Sequence, residues 1–600
     1  MQNCEATLRM QHCASFLLCL LLFLSGCVEA VPVAPQPKAR NNFVTELLEV
    51  AVGKKAPAEG YAFLNPRKGW VFFRIQTAAL KQGSVELYLD GSAPENLIIQ
   101  QDSATQRATE AMRYLPAGEH RLVVKTSKAA RLSSLTVRAI PVILYANYQA
   151  TTQVKEYGTY DWDFLKRIGM LDNVNVLIVG AGQGNDSNIK EWLRQGKQAI
   201  QQVSVPGLGG DGELTEDKAY EYWSKSDGMT SPGLSGVIAD EFYPSLSGKF
   251  PLWLPAIQRV VSEHKDRVFY PYVAGDPQGL IPLVKPLFEN GCCFAYERYL
   301  KEQRTETAAR QHIEKMLKDE VMVQFSRGAP GIEKATIFVL GILCGPPETL
   351  NANPGANFKV YMDMQFHLLA TDPAFNGLYG LEEYLSSYAD EEYLRWAAKL
   401  YRHYCIEGNT NRLTNDPYEL SHIQNPDFES GLNGWDVSPA EKGTVDVRVK
   451  KGLGWLEGRY PPDAEGDTFL WTMRSAQRPN VIAQEIKQLQ PGRAYSLKLY
   501  SGDCRELTRE GKLAISVKIE DVEFIADKCF QTTFKSCYDH HTAEYPDKAV
   551  CFNFVRLVFR PRSATAMLTI SDWLTDKEPG GPIGQELLYN FVEIEPYLMD

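Results

Sequence analysis

Apolar and polar positions follow two different rhythms along this chain. Between about Glu46 and Ile140 they alternate with period two, as in Gly69-Trp70-Val71-Phe72-Phe73-Arg74-Ile75, Ser84-Val85-Glu86-Leu87-Tyr88-Leu89 and Glu119-His120-Arg121-Leu122-Val123-Val124-Lys125. Alternation punctuated by turn residues such as Asp90-Gly91 predicts short antiparallel strands with one buried face, hence a small β-sandwich over 46–140. From 141 to 420 the pattern changes to short, wholly apolar runs separated by amphipathic segments. The strand candidates are Val142–Ala146, Val174–Gly180, Ala199–Val205, Gly236–Asp240, Arg267–Val273, Cys292–Tyr296, Ala335–Leu343 and Asn376–Gly380. Helix candidates between them include Glu216–Ser224, Leu252–Glu263, Leu280–Asn290, Thr307–Lys318 and Val360–Leu369, with Glu391–Tyr404 closing the series. Apolar strands of this kind need cover on both faces, and a ring of helices supplies it. Eight such units in this length predict a (β/α)8 TIM barrel.

In such a barrel the C-terminal strand ends line the pocket, so the residues that close each apolar run carry the chemistry. The fourth run ends in Ala239-Asp240-Glu241-Phe242 and the sixth in Ala295-Tyr296-Glu297-Arg298. Asp276 follows the fifth, and Glu382 with Glu383 follows the eighth. Two carboxyl groups across one pocket suit glycoside hydrolysis. One protonates the leaving oxygen and the other attacks or activates water, at about 5 Å for retention or roughly 6.5–9.5 Å for inversion. Neighbouring strand residues face opposite ways, so Asp240 and Glu241 do not enter the pocket alike. Glu241 is the expected general acid/base, and Asp240 orients it or holds substrate. Glu297, flanked by Tyr296 and Tyr299, is the expected second carboxylate; Glu382 competes for that role and is otherwise a substrate ligand. The bland counterpart of each acid is a salt bridge or a helix-start carboxylate. Tyr145, Tyr148, Tyr160, Trp162, Tyr272, Tyr296 and Tyr379 are candidate subsite walls, because sugar rings present apolar faces to aromatic rings. The competing role for each is core filling.

These strand-end acids resemble those of the barrel glycoside hydrolases as a broad group. The resemblance implies a catalytic pair on the fourth and seventh strands, or on the fourth and sixth. Here the seventh run, Thr336–Cys344, meets no acid until Glu348, a departure from the commoner arrangement. A second stretch, Val176-Leu177-Ile178-Val179-Gly180-Ala181-Gly182-Gln183-Gly184, imitates a dinucleotide-binding turn, but position 185 is Asn where the fingerprint needs Gly. It reads better as a glycine-rich loop that lets backbone approach a ligand.

Near the end, Asn425-Pro426-Asp427-Phe428-Glu429-Ser430-Gly431-Leu432-Asn433-Gly434-Trp435 resembles the opening of CenC-type carbohydrate-binding modules, N-x-x-F-E-x-G-x-x-x-W. The run Glu586–Pro596 resembles their final strand. The resemblance implies a β jelly roll over 421–600 in which Phe428 and Trp435 are core residues. Trp455 and Trp471 are the candidate sugar platforms there.

Composition narrows the partners. The chain of 600 residues has a formal net charge of -11 and no basic block, which argues against nucleic acid. Its 29 Tyr, 26 Phe and 10 Trp suit a carbohydrate substrate. Ala14–Gly26 is apolar but too short to span a bilayer comfortably, and it ends in Leu24-Ser25-Gly26-Cys27. That ending resembles the bacterial lipobox. The resemblance implies a signal peptide over 1–26, lipid on Cys27, and a membrane-anchored protein of the cell envelope facing the periplasm or exterior; a plain cleaved signal with a chance Cys is the alternative. Residues 27–45, with Pro32, Pro35 and Pro37, then read as a tether. Export permits disulfides, for which Cys504, Cys529, Cys537 and Cys551 are the candidates. The cysteine spacing fits no zinc pattern, and Asp539-His540-His541 reads as a solvated loop, so no metal and no organic cofactor is expected. The expected function is cleavage of a poly- or oligosaccharide by Glu241 and Glu297. A non-catalytic surface glycan-binding lipoprotein is the alternative.

Overall fold

The computed structural model describes residues 34–599 apart from 52–59, 78–82, 103–107, 128–131, 209–212, 462–464, 539–544 and 546–547. The expected export signal, the lipid-bearing Cys27, and Asp539, His540 and His541 lie outside the described residues.

Two antiparallel sheets form the first layer. One orders the strands Lys38–Ala39, Thr45–Val50, Leu132–Ile140, Gly69–Thr77 and Thr109–Leu115; the other orders Tyr61–Asn65, Gly118–Thr126, Ser84–Leu89 and Leu97–Asp102. Alternation along Gly69–Thr77 explains how they pack. Val71, Phe73 and Ile75 join Phe63, Leu87, Leu122 and Val137 between the two sheets, whereas Trp70 and Phe72 face the other way into the core of the next domain.

The described part of the expected tether is not one. Lys38–Ala39 pairs with Thr45–Val50. Asn41 donates through Nδ2 to the carbonyls of Tyr404 and Asn409, and Asn42 to those of Leu369 and Asp372. These short amides clamp residues 41–42 to the helices of the next domain, which the proline-rich composition did not reveal.

That domain is a closed parallel barrel of eight strands: β1 (Val142–Tyr145), β2 (Val176–Val179), β3 (Gln198–Val203), β4 (Gly236–Phe242), β5 (Val268–Ala274), β6 (Phe294–Glu297), β7 (Thr336–Gly341) and β8 (Gly380–Tyr384). Helices such as Glu216–Ser224, Phe250–Glu263, Pro277–Glu289 and Phe358–Thr371 ring it. The expected eighth strand, Asn376–Gly380, is displaced. Gly377 turns the chain with φ of 82°, the strand begins only at Gly380, and Glu382 and Glu383 therefore lie on the strand and not after it. A Cβ at Gly380 would stand 2.8 Å from the carbonyl oxygen of Val142, so the glycine is what lets β8 close against β1.

The remaining residues build a four-stranded and a seven-stranded antiparallel sheet. In the larger sheet, Tyr495–Asp503 and Glu586–Pro596 are buried at every position. Leu497, Tyr589 and Ile594 pack with Phe428 and Trp435 in one core, while Tyr500, Leu588 and Phe591 serve a second. Phe428 and Trp435 stack at 5.1 Å, as core residues. No disulfide joins two of the described cysteines, contrary to expectation for the last four. Each thiol has its own surroundings: Cys529 Sγ lies 3.3 Å from the carbonyl oxygen of Ile525, and Cys537 Sγ donates to that of Pro347 at 3.0 Å.

Candidate functional site

Register decides which side chains enter the barrel. Gln202 pairs with Ile238, Ile238 with Tyr270, Tyr272 with Ala295, Glu297 with Val339, and Val339 with Glu382. Paired neighbours in a sheet share a face, so Gln202, Tyr270, Tyr272, Glu297, Glu382 and Tyr384 all point inward. β4 reaches the same place through a bulge between Ala239 and Phe242, where Glu241 takes φ of 83°. A non-glycine residue held there costs roughly 1–3 kcal/mol. Alternation from Ile238 turns Asp240 inward, its Oδ2 accepting from Gln202 Nε2 at 3.1 Å, and the bulge leaves Glu241 exposed at the rim.

Three inward acids, Asp240, Glu297 and Glu382, thus occupy the C-terminal end of the barrel; Asp240 raises the proton affinity of the other two, and Glu297 that of Glu382. Burial, and then the charge of Asp240, push the Glu297 carboxyl up to about 8, against a hydrogen bond from Tyr299 that pulls it down. Burial, followed by Glu241, also raises Asp240, while the Gln202 amide opposes the rise. Glu382 is completely buried, and neither of its carboxyl oxygens has a hydrogen-bond partner. Burial, then Asp240 and Glu297, lift it well above the usual carboxylate range. Like charges this close cannot all ionise. Burial and repulsion thus favour the protonated form of all three, with Glu297 pushed up to about 8.

Aromatic rings enclose the acids. The Tyr272 and Tyr299 hydroxyls lie 3.4 Å apart, and the Tyr384 ring stacks on Tyr299 at 6.2 Å and meets Tyr272 at 5.7 Å. Burial, then Glu297, Glu241 and Asp240, push the Tyr243 hydroxyl up to about 12. The C-terminal domain adds one wall. Thr349 N donates to Gly458 O at 2.8 Å and Tyr460 N to Thr349 O at 2.9 Å, which brings Tyr460 within the field of Glu297 and Glu348. Behind it, Trp455 stacks on Tyr538 with ring centres 3.6 Å apart, and the Tyr538 hydroxyl donates to Glu348.

Several expected wall residues lie elsewhere. Tyr296 faces outward, edge-on to Phe325 and Phe338, with its hydroxyl on Gly275 O at 2.7 Å. Tyr145 shares register with Glu383 and so faces the helix layer, where Glu383 lies near Tyr401 and Cys405. Tyr379 precedes β8 at the opposite end of the barrel, its hydroxyl 3.5 Å from that of Tyr270. Tyr148 packs edge-on to Trp162, and Trp162 to Trp192. Tyr160 donates to Ala389 O at 2.8 Å. Asp276 caps the helix Pro277–Glu289 through Gly279 N at 3.0 Å, the structural role that competes with catalysis. The glycine-rich loop after β2 spends its amides within the protein: Gly180 N donates to Gln183 Oε1 of the same loop and Gly182 N to Asp227 Oδ2. Of the expected set, Asp240, Glu297, Glu382 and Tyr272 are brought together, with Glu241 on the rim. Gln202, Tyr243, Tyr384 and Tyr460 were not foreseen. Counting by twos from Glu382 finds Tyr384, whereas Tyr460 has no local signal. Among the described residues, no three His, Cys, Asp or Glu side chains stand as a set for a metal ion.

No family model matches the chain, and no curated protein matches it. Solved structures similar to it include a calcium-binding mutant of Bacteroides uniformis beta-glucuronidase 2, at 9% identity over 90% of this chain and 79% of that one, with a TM-score of 0.31. An alpha-L-arabinofuranosidase from Thermotoga maritima, in complex with arabinose, is similar at 8% identity over 72% of this chain and 97% of that one, with a TM-score of 0.29. TmCBM61 in complex with beta-1,4-galactotriose is similar at 12% identity over 29% of this chain and 97% of that one, with a TM-score of 0.16.

Proposed function

We propose that the protein hydrolyses glycosidic bonds, with Glu297 as general acid and Asp240 as the carboxylate that attacks or activates water. The observation that carries this reading is the pairing of environments at the barrel mouth. Glu297 keeps its proton to about pH 8, while Asp240, held by Gln202 and partly open to solvent, is the acid best placed to ionise. Glycoside hydrolysis needs such a difference between two carboxyl groups. Glu241, first expected as the acid, is better suited to hold substrate at the rim, because it is exposed and stands out of the inner face. The tyrosines around the pair supply apolar faces and hydroxyl groups to a sugar ring.

Reducing-sugar release from a broad polysaccharide panel tests the assignment. Glu297→Gln and Asp240→Asn should each lower the rate by about 10²–10⁴-fold, the share carried by a positioned acid or base. Full activity in either variant removes that residue from the pair. By the Leu24-Ser25-Gly26-Cys27 motif we also assign the protein to the cell envelope through lipid on Cys27. Cys27→Ala should then shift it from the membrane fraction to the soluble fraction of the envelope, and an unchanged distribution would refute the anchor.

A further inference from the structure

Glu382 presents a problem that the proposed reaction does not use. A completely buried carboxyl group with both oxygens unpartnered is costly wherever it is kept. It stands on the inner face of β8, in register with Val339 on one side and Leu144 on the other, one strand removed from Glu297. As an acid it offers one O–H donor and one carbonyl acceptor, the pair that two neighbouring sugar hydroxyls satisfy.

Charge around the pocket is just as telling. The groups that act most strongly on Asp240 and Glu382 are carboxyls and an amide. Three arginines of the surrounding elements are already committed. Arg298 bonds Glu320 at 3.0 Å, Arg304 bonds Glu429 and Glu465, and Arg459 is buried against Asp427 at 2.6 Å. A uronate or sulfate on the reacting ring would enter beside Asp240 with nothing to neutralise it, and a buried charge without a partner is strongly disfavoured.

We infer that the reacting subsite takes an uncharged sugar, held by Glu382 through its hydroxyl groups, and rejects uronates and sulfated sugars. This rests on the hydrolase reading for its chemistry but not for its selectivity, and the two can fail separately. The test uses the 4-nitrophenyl glycosides of glucose and galactose in both anomers, each against its 6-carboxylate counterpart, together with matched neutral and uronate oligosaccharides. Turnover is read on the wild-type protein and binding by calorimetry on Glu297→Gln. The expected result is a preference of about 100-fold or more for the neutral member, the scale of a like-charge penalty. Uronides turned over as well as neutral sugars would overturn the inference and leave the hydrolase reading intact. With no turnover at all, the hydrolase reading falls; neutral glycans bound and uronates ignored would still support the selectivity, whereas equal binding or none would overturn it. Glu382→Gln keeps a donor and an acceptor and should stay within about tenfold of wild type. Glu382→Leu should lose at least about 100-fold in kcat/KM while melting no lower than wild type, since an apolar group suits the buried position better. A variant that melts lower and loses activity in proportion would make Glu382 a structural residue and sink its role in binding.

Discussion

At the scale of single residues, proton affinity is the property to measure. Glu297 holds its proton to about pH 8, against an ordinary value of 4.5. Activity that needs the acid form should fall as pH rises through about 8, and it should fall on the acidic side as Asp240 takes up a proton at a pH above its ordinary value. Stability follows with a definite sign. At Glu297 the folded state binds more proton than the unfolded chain between about 4.5 and 8, so this group's contribution to stability is greatest below that window and declines across it. Thermal melting of wild type and Glu297→Gln at pH 5 and pH 8 checks this: the wild type should lose more on going to pH 8, and parallel losses would contradict the assignment. The sequence made Asp240 and Glu297 visible because both end apolar strands. It left Glu241 ahead of Asp240 because the inward phase of β4 is set by the pairing of Ile238 with Gln202 and Tyr270, which the apolar run alone does not show.

At the scale of elements, strand parity explains most of what the sequence showed and what it hid. Eight apolar runs are legible because a strand covered on both faces has few polar positions, and the observed boundaries differ from those expected by a few residues. The aromatics were harder. Tyr272 and Tyr296 both sit near strand ends, yet one faces the pocket and the other Phe325, because they occupy opposite phases of their strands. Displacement of β8 to Gly380–Tyr384 likewise turned Glu382 from a loop acid into a pocket acid. The loop that carries Trp455 and Tyr460 was beyond sequence reading, since its place depends on contacts with Thr349, more than a hundred positions earlier. That loop should bind the part of the substrate that leaves. Trp455→Ala or Tyr460→Ala should raise KM for long substrates by about tenfold, the loss of one aromatic contact of about 1 kcal/mol or slightly more, and should leave small aryl glycosides nearly unaffected. Equal effects on long and short substrates would show that the wall supports Glu297 and does not meet sugar.

At the scale of the whole molecule, a buried set of charges joins the barrel to the C-terminal sheets. Lys359 on the helix Phe358–Thr371 bonds Glu392 and Glu595, each at 2.8 Å, and Lys498 bonds Glu593 and Glu595, each at 2.7 Å. All five side chains are at most 7% exposed. Burial alone would raise Glu595, but the two lysines win and hold it down to about 2. Arg556 and Asp390 form a further buried pair at 2.8 Å. Removing one partner leaves a charge stranded in apolar surroundings, so Glu595→Gln should cost about 3–5 kcal/mol, read as a fall in the denaturant midpoint. A cost under about 1 kcal/mol would mean that water reaches the set.

The same feature bears on how the chain comes to be folded. The barrel lies in the middle of the sequence, yet Lys359 finds its second counter-charge, Glu595, on the strand Glu586–Pro596. During synthesis at about 5–20 residues per second, that strand emerges roughly ten seconds or more after the barrel helices it must neutralise. Until it does, the barrel has an open flank of unmatched charge and uncovered apolar surface. The C-terminal end is thus no detachable appendage. It covers the barrel's outer flank, and a chain clipped ahead of it should depend on chaperones for as long as it survives.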